Sequence, residues 1–313
     1  MTINSPPPPY RKGGLINVIM RNVRKVFKIL PFEIKFAKRL YGVYWKKYGR
    51  FHEKAGLYLE MHIADHCNLN CAYCSHYSPL AKTEFVDIVQ CENDFKRLAK
   101  LGAGNIDTLR LMGGEPLLND KISSIARLAR ECFPKCRIEI VTNGVLLLKQ
   151  SEEFWNICSK YNIDIFISYY PVNLDYDAVK KLTEKHKIKL TYDDSTPDRK
   201  MTKFELDLDG EQDYQESFKK CRDKLCGNLR NGKIYKCPTS ANIGVFNEYF
   251  SKNLELSKQD YIDIYEAKSI DEIFKFANNP VPFCRFCVRN GNYVESEWRT
   301  SKKDISEWAA QKT

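Results

Sequence analysis

From residue 57 onward the spacing of apolar positions switches repeatedly along the chain. Short alternating or continuous apolar runs are followed by stretches in which apolar residues return every three or four positions. The runs at 57–63, 106–112, 138–142, 163–169 and 188–192 read as strands, and 93–101, 122–132, 152–161 and 176–186 as helices. Repeated strand–helix units predict an α/β fold with a parallel sheet covered by helices and curled into a partial (β/α)6 barrel. A last barrel strand is expected at 204–209. Functional residues should gather at the rim where the strands end. Past about 210 the regularity is lost, and Asn231-Gly232 between Leu229 and Ile234 marks a two-residue hairpin turn. The expected organisation is an N-terminal helical extension at 1–55, the barrel at 56–210 and a smaller cysteine-bearing module at 211–313.

Ahead of the barrel, Ile16, Ile19, Val23, Val26, Phe27 and Leu30 recur at helical spacing with Arg and Lys opposite, until Pro31 breaks the run; a second helical stretch covers 33–47. The formal charge of +10 is concentrated here, since residues 1–56 hold 13 Lys and Arg against Glu33 and Glu53. The remainder is close to neutral, which excludes a general nucleic-acid binder. The basic face is read first as solvated helix surface packed on the barrel, and second as a peripheral membrane contact through residues 15–47. The chain has no apolar run of bilayer length, and four prolines stand where a signal peptide would need an apolar core, so a cytoplasmic location, peripheral to the inner membrane face in the second reading, is expected.

Twelve cysteines in such a chain are read as thiols, with metal ligation as the leading use. Cys91, Cys132, Cys136 and Cys158 are scattered and read as buried thiols. Cys67-x3-Cys71-x2-Cys74 falls on the loop that leaves the first strand. Three thiolates on one loop can hold three corners of an iron–sulfur cube and leave one iron open. A zinc site that adds His66 or His76 is the competing reading. At the end of the second strand stands Met112-Gly113-Gly114-Glu115-Pro116.

The C-x3-C-x-Y-C pattern and the GGEP segment, placed at consecutive strand ends, resemble the radical S-adenosylmethionine (SAM) superfamily. The resemblance implies a TIM-like partial barrel and a 4Fe–4S cluster on Cys67, Cys71 and Cys74 whose open iron binds the amino and carboxylate groups of SAM. It further implies that Gly113, Gly114, Glu115 and Pro116 receive the SAM amine, that Tyr73 flanks the adenine, and that Asn143 and Ser168 supply polar contacts. One electron from a flavodoxin- or ferredoxin-type reductant would cleave SAM to a 5'-deoxyadenosyl radical that abstracts hydrogen from a small-molecule substrate.

Cys221, Cys226, Cys237 and the Cys284-x2-Cys287 pair are enough for one further cluster, or for a zinc ribbon. The arrangement resembles the twitch form of the family's auxiliary-cluster domain and departs from the longer SPASM form, since no cysteine follows Cys287. The expected ligands are Cys226, Cys237, Cys284 and Cys287, with Cys221 the alternate for Cys226. An auxiliary 4Fe–4S cluster suits oxidation or epimerisation of a sugar- or cyclitol-like alcohol, and CNLNCAYCSHYSPLA is similar to members associated with cell-surface polysaccharides. Candidate bases are His66, Tyr169 and Tyr170; candidate hydrogen donors are Cys91 and the unused member of Cys221 and Cys226. The alternatives are modification of a ribosomal peptide, against which the lack of a winged-helix pattern counts, and a non-catalytic iron–sulfur or zinc protein.

Overall fold

The structure is a computed structural model, and it describes residues 56–193, 200–288 and 294–310. The expected helical extension, including the basic stretch 15–47, lies outside the described residues. No helix among those described is long and apolar enough to cross a membrane.

The strand–helix repeat forms as the periodicity predicts. β1 (Leu57–Ala64), α1 (Ile88–Gly102), β2 (Ile106–Gly113), α2 (Ile122–Cys132), β3 (Arg137–Thr142), α3 (Glu152–Lys160), β4 (Asp164–Ile167), α4 (Tyr176–Lys185) and β5 (Leu190–Tyr192) follow in order, with neighbouring strands parallel. Short polar side chains set the helix starts: Asp87, Ser151 and Asp175 accept from the backbone N–H of Val89, Phe154 and Ala178, which would otherwise lack partners. Alternation then sorts β1 into two faces. Leu59, Met61 and Ile63 pack against Cys91, Phe95 and Leu98 of α1, whereas Glu60 and His62 point to the other, inner face of the sheet.

The expected sixth barrel strand at 204–209 does not form. Leu206 is fully buried in a second core with Tyr77, Phe246, Phe283, Phe286 and Trp308, and makes isolated bridges to Cys287 and Ala309. Burying this leucine among aromatics is the alternative that wins over extending the sheet. Just before it, β6 (Lys200–Lys203) pairs antiparallel with β10 (Val294–Glu297) in a separate ribbon. The strand beside β1 is instead β7 (Gly227–Arg230), parallel to it, followed by antiparallel β8 (Lys233–Tyr235) and β9 (Tyr261–Asp263). The sheet order is β5-β4-β3-β2-β1-β7-β8-β9, so among the described residues the barrel stays open. The chain therefore does not leave the sheet beyond 210: β7 to β9 extend it, and α5 (Tyr214–Lys220), α6 (Pro238–Ala241), α7 (Ile243–Phe250) and α8 (Ile270–Asn278) belong to the same compact unit.

The β7–β8 turn is the predicted one. Asn231 and Gly232 both have positive φ, 49° and 73°, as a primed hairpin turn requires. Gly232 also donates its N–H to Asp94 Oδ2 at 2.9 Å, and a Cβ there would lie 2.7 Å from the Tyr265 ring. Gly232→Ala should therefore destabilise the protein by about 1–3 kcal/mol, read as a lower urea midpoint with an unchanged slope.

Candidate active site

β1 ends at Ala64, and the loop carrying Cys67, Cys71 and Cys74 rises from it. The base of that loop is fastened to the end of β2: Gly114 donates to Ala64 O at 2.8 Å and Glu115 N to His66 O at 3.0 Å. Only glycine permits this approach. A Cβ on Gly113, whose φ is +145°, would stand 2.2 Å from Ala64 O, and one on Gly114 2.0 Å from His66 O.

Glu115 and Pro116 are buried, and both Glu115 oxygens are engaged inside the protein. Oε1 accepts from Thr142 Oγ1 at 2.6 Å and Leu117 N at 3.1 Å, and Oε2 from Asn143 N at 2.9 Å. Glu115 therefore braces β2 against the end of β3. Burial raises its pKa to about 7 in spite of these donors. Asn143 continues the chain of contacts, its Nδ2 donating to Asn68 Oδ1 at 2.7 Å and its Oδ1 accepting from Val145 N at 3.0 Å. Ser168 follows the end of β4 and donates its N–H to Thr142 O at 2.9 Å.

The three loop thiols lie close to one another. Burial pushes Cys67 up to about 12, and the neighbouring Cys74 and Cys71 add to the rise. Among the described residues no group of three or more Cys, His, Asp or Glu side chains is gathered for a single metal ion. The donor set of three soft thiols on one loop, backed by two glycines, fits an iron–sulfur cluster. Tyr73 sits between two of them with a φ of +62°, its ring 5.1 Å from the guanidinium of Arg299.

His62, Asp65 and Arg230, which sequence reasoning passed over, also belong to this rim, together with His76. His62 Nδ1 faces Asp65 Oδ1 at 3.4 Å, His62 Nε2 is hydrogen-bonded to His76 Nδ1, and Arg230 clamps Asp65 with two bonds of 2.7 and 2.6 Å. Burial opposes ionisation of Asp65, but the bonds from His62 and Arg230 overcome it and hold the carboxyl well below its usual range. Below them the inner face is polar. Tyr58 and Asn228 donate to Glu60 at 2.7 and 3.0 Å, and Arg110 pairs with Glu139 at 2.7 Å under the Phe166 ring. The signal was present in the alternation of β1, which puts Glu60 and His62 on the face away from the helices. At the ends of β1 and β7 an open cleft of about 920 Å³, counting its mouth, is lined by Asp65, Lys82, Arg230, Asn242 and Glu248 among others.

The second cysteine set surrounds a cavity of about 440 Å³, mouth included, lined by Cys221, Cys237, Cys284 and Cys287 with Lys236 and Phe283. The alternate thiol is thus the one at the cavity. Cys226, the first choice in the sequence reading, stands just before β7 and does not line the cavity; burial and then Glu60 raise its thiol pKa, with smaller contributions from Asp223, Cys221 and Cys237. A loop of four residues between the two cysteines reverses direction, which spacing does not reveal. Burial lowers the pKa of Lys236 to about 8, and its Nζ donates to Phe276 O and Ala277 O.

The proposed bases and donor are placed unequally. His66 lies beside the thiols with Nδ1 buried and unpartnered among the described residues, its ring edge-on to Phe85. Tyr169 and Tyr170 follow β4, Tyr169 stacking on Tyr176. Cys91 is not at the site: it is fully buried on α1 with its sulfur 3.8 Å from Met61 Sδ, on the helix side of β1.

The sheet thus carries three soft thiols on the loop that leaves its first strand. Residues 61–202 match the radical SAM superfamily, and this segment is a radical SAM domain, of a family that uses a 4Fe–4S cluster and SAM. GTP 3',8-cyclase of Peptoclostridium acidaminophilum is 33% identical over 31% of this chain and 30% of its own length, and that of Clostridium acetobutylicum 35% over 31% and 30%. The likeness thus spans under a third of these relatives. Among solved structures, BtrN in complex with AdoMet and 2-DOIA is similar at 15% identity and a TM-score of 0.46 over 76% of this chain and 98% of that one. Streptococcus suis SuiB bound to S-adenosylmethionine is similar at 15% and 0.37, over 83% and 76%.

Because the Glu115 pKa is raised above its unfolded value near 4.5, the folded state holds the proton more tightly. Its stabilising contribution is complete below pH 4.5 and is lost as pH rises towards 7. Denaturant midpoints of the metal-free chain across pH 4.5–7 should show this decline, and Glu115→Gln should remove that component of the slope.

Proposed function

We propose that the chain is a radical SAM oxidoreductase that dehydrogenates or epimerises a polar, sugar- or cyclitol-like alcohol, in a setting such as cell-surface polysaccharide synthesis, with a second iron–sulfur cluster on Cys221, Cys237, Cys284 and Cys287. The cavity that these four thiols line, joined to β1 through β7, carries the reading. When bound, the Cys67/Cys71/Cys74 cluster and SAM supply a 5'-deoxyadenosyl radical, and the second cluster supplies an electron acceptor.

The chain's own residues supply position and polarity. Gly113 and Gly114 pin the thiol loop to β2, and Glu115 and Asn143 tie it to β3. Glu60, Tyr58, Arg110 and Asn228 on the inner face, and Asp65 and Arg230 at the cleft, offer donors and acceptors suited to several hydroxyls. Held on Cys221, Cys237, Cys284 and Cys287, the second cluster would take up the one electron released when a substrate radical loses its hydroxyl proton to a base at the rim and becomes a ketone, the carbinol hydrogen having passed to the radical that SAM would supply. In epimerisation Cys226, kept protonated by burial, is the candidate donor of the returning hydrogen. A flavodoxin- or ferredoxin-type protein serves as reductant.

Anaerobically reconstituted protein should hold about eight irons per chain and release 5'-deoxyadenosine from SAM under dithionite. Replacing Cys67, Cys71 and Cys74 together by Ala should abolish release. Cys221→Ala should lower iron to about four, and Cys226→Ala should leave about eight; the reverse result sinks the ligand choice. About four irons with zinc would make the second site structural, and no SAM cleavage would leave a non-catalytic iron–sulfur protein. GTP, the substrate named for the sequence relatives, should give no product.

A further inference from the structure

The segment that follows β10 lies along the thiol loop. Ala72 donates to Arg299 O at 2.9 Å and Ser301 to Asn70 O at 2.8 Å, so residues 299–301 pair with 70–72 in a short antiparallel contact. Two tryptophans from this segment reach the loop. Trp308 Nε1 donates to Cys74 O at 2.9 Å, a backbone carbonyl, whereas Trp298 Nε1 donates to Cys71 Sγ at 3.0 Å. An indole N–H is a donor only, so this bond is directed at the sulfur.

We propose that Trp298 is a positioning residue for the cluster on Cys67, Cys71 and Cys74, and that its hydrogen bond to the Cys71 sulfur raises the reduction potential of that cluster. Negative charge on a ligating sulfur grows when the cluster gains an electron, so a donor aimed at it stabilises the reduced form more than the oxidised one. Other donors serve the other two sulfurs: Leu69 N lies 3.5 Å and Asn143 Nδ2 3.8 Å from Cys67 Sγ, and the N–H groups of His76, Tyr77 and Ser78 face Cys74, whereas Trp298 addresses Cys71 at 3.0 Å. The bond comes from a segment more than 200 residues further along the chain, one that also grips Tyr73 through Arg299. The same strap thus holds the loop and sets the electronic character of one ligand.

The proposal rests on the radical SAM reading of the three thiols, and the two fail separately. If the triple Cys67/Cys71/Cys74 variant keeps the paramagnetic signal that changes on adding SAM, the cluster assignment is wrong whatever Trp298 does. The test of Trp298 is a redox titration of that signal by electron paramagnetic resonance in the reconstituted full chain, with iron and sulfide counted in parallel. In Trp298→Phe, at fixed potential, the reduced-to-oxidised ratio should fall at least about threefold with iron content unchanged. Trp298→His, which retains a ring N–H, should lie closer to the parent ratio. Arg299→Lys loosens the strap while keeping its charge and without touching sulfur, and should leave the ratio unchanged. An unchanged ratio in Trp298→Phe, or an equal fall in Arg299→Lys, overturns the proposal. So does a Trp298→Phe chain that folds poorly or loads less iron, since that assigns the residue to packing of the strap.

Discussion

The N–H of Gly114 against the carbonyl of Ala64, and that of Glu115 against His66, join the ends of two parallel strands just where a helix-free loop has to be held still. Both glycines are packed so closely against β1 that a single methyl group would collide with a carbonyl oxygen. From this contact the rest of the rim follows. Glu115 is drawn into the interior, where only the three donors from Thr142, Asn143 and Leu117 make its burial tolerable. Asn143 then reaches back to Asn68, so that a loop with three thiols is fastened at both ends before any cofactor chemistry is considered.

The same strand alternation that builds the helix-side core makes the inner face expensive unless its charges are paired. Glu60 and Glu139 are buried and Arg110 is partly so, and each has a charged or polar partner within hydrogen-bond distance. Breaking one such partnership would leave an uncompensated charge, which is worth far more than the pair contributes on its own. A polar interior under the rim is a poor choice for stability alone, and it suits a site that handles a polar molecule.

Burial separates the cysteines by use. Cys136 and Cys158 are pushed up to about 12 by desolvation and sit in the apolar core with Cys91, where a thiol is a small hydrophobe. Cys67, Cys71 and Cys74 share one loop, and Cys221, Cys237, Cys284 and Cys287 share one cavity. What marks the second group is convergence from distant points of the chain, with Lys236 buried beside it.

The order of strands and helices over 57–192, the Asn231-Gly232 turn, the radical SAM resemblance and the three-thiol loop were all legible in the sequence, because each depends on local period or on residues within one short segment. Four things were decided only by tertiary structure. Leu206 took a place in the aromatic core instead of a sixth strand, and β7 took the position beside β1, because burial is settled by which partners are available across the whole fold. Cys221 rather than Cys226 reached the cavity, because five residues of separation say nothing about the direction in which a turn points a side chain. Trp298 met Cys71 across 227 positions, a contact that no pattern along the chain encodes, since it exists only once the last ribbon has docked on the rim.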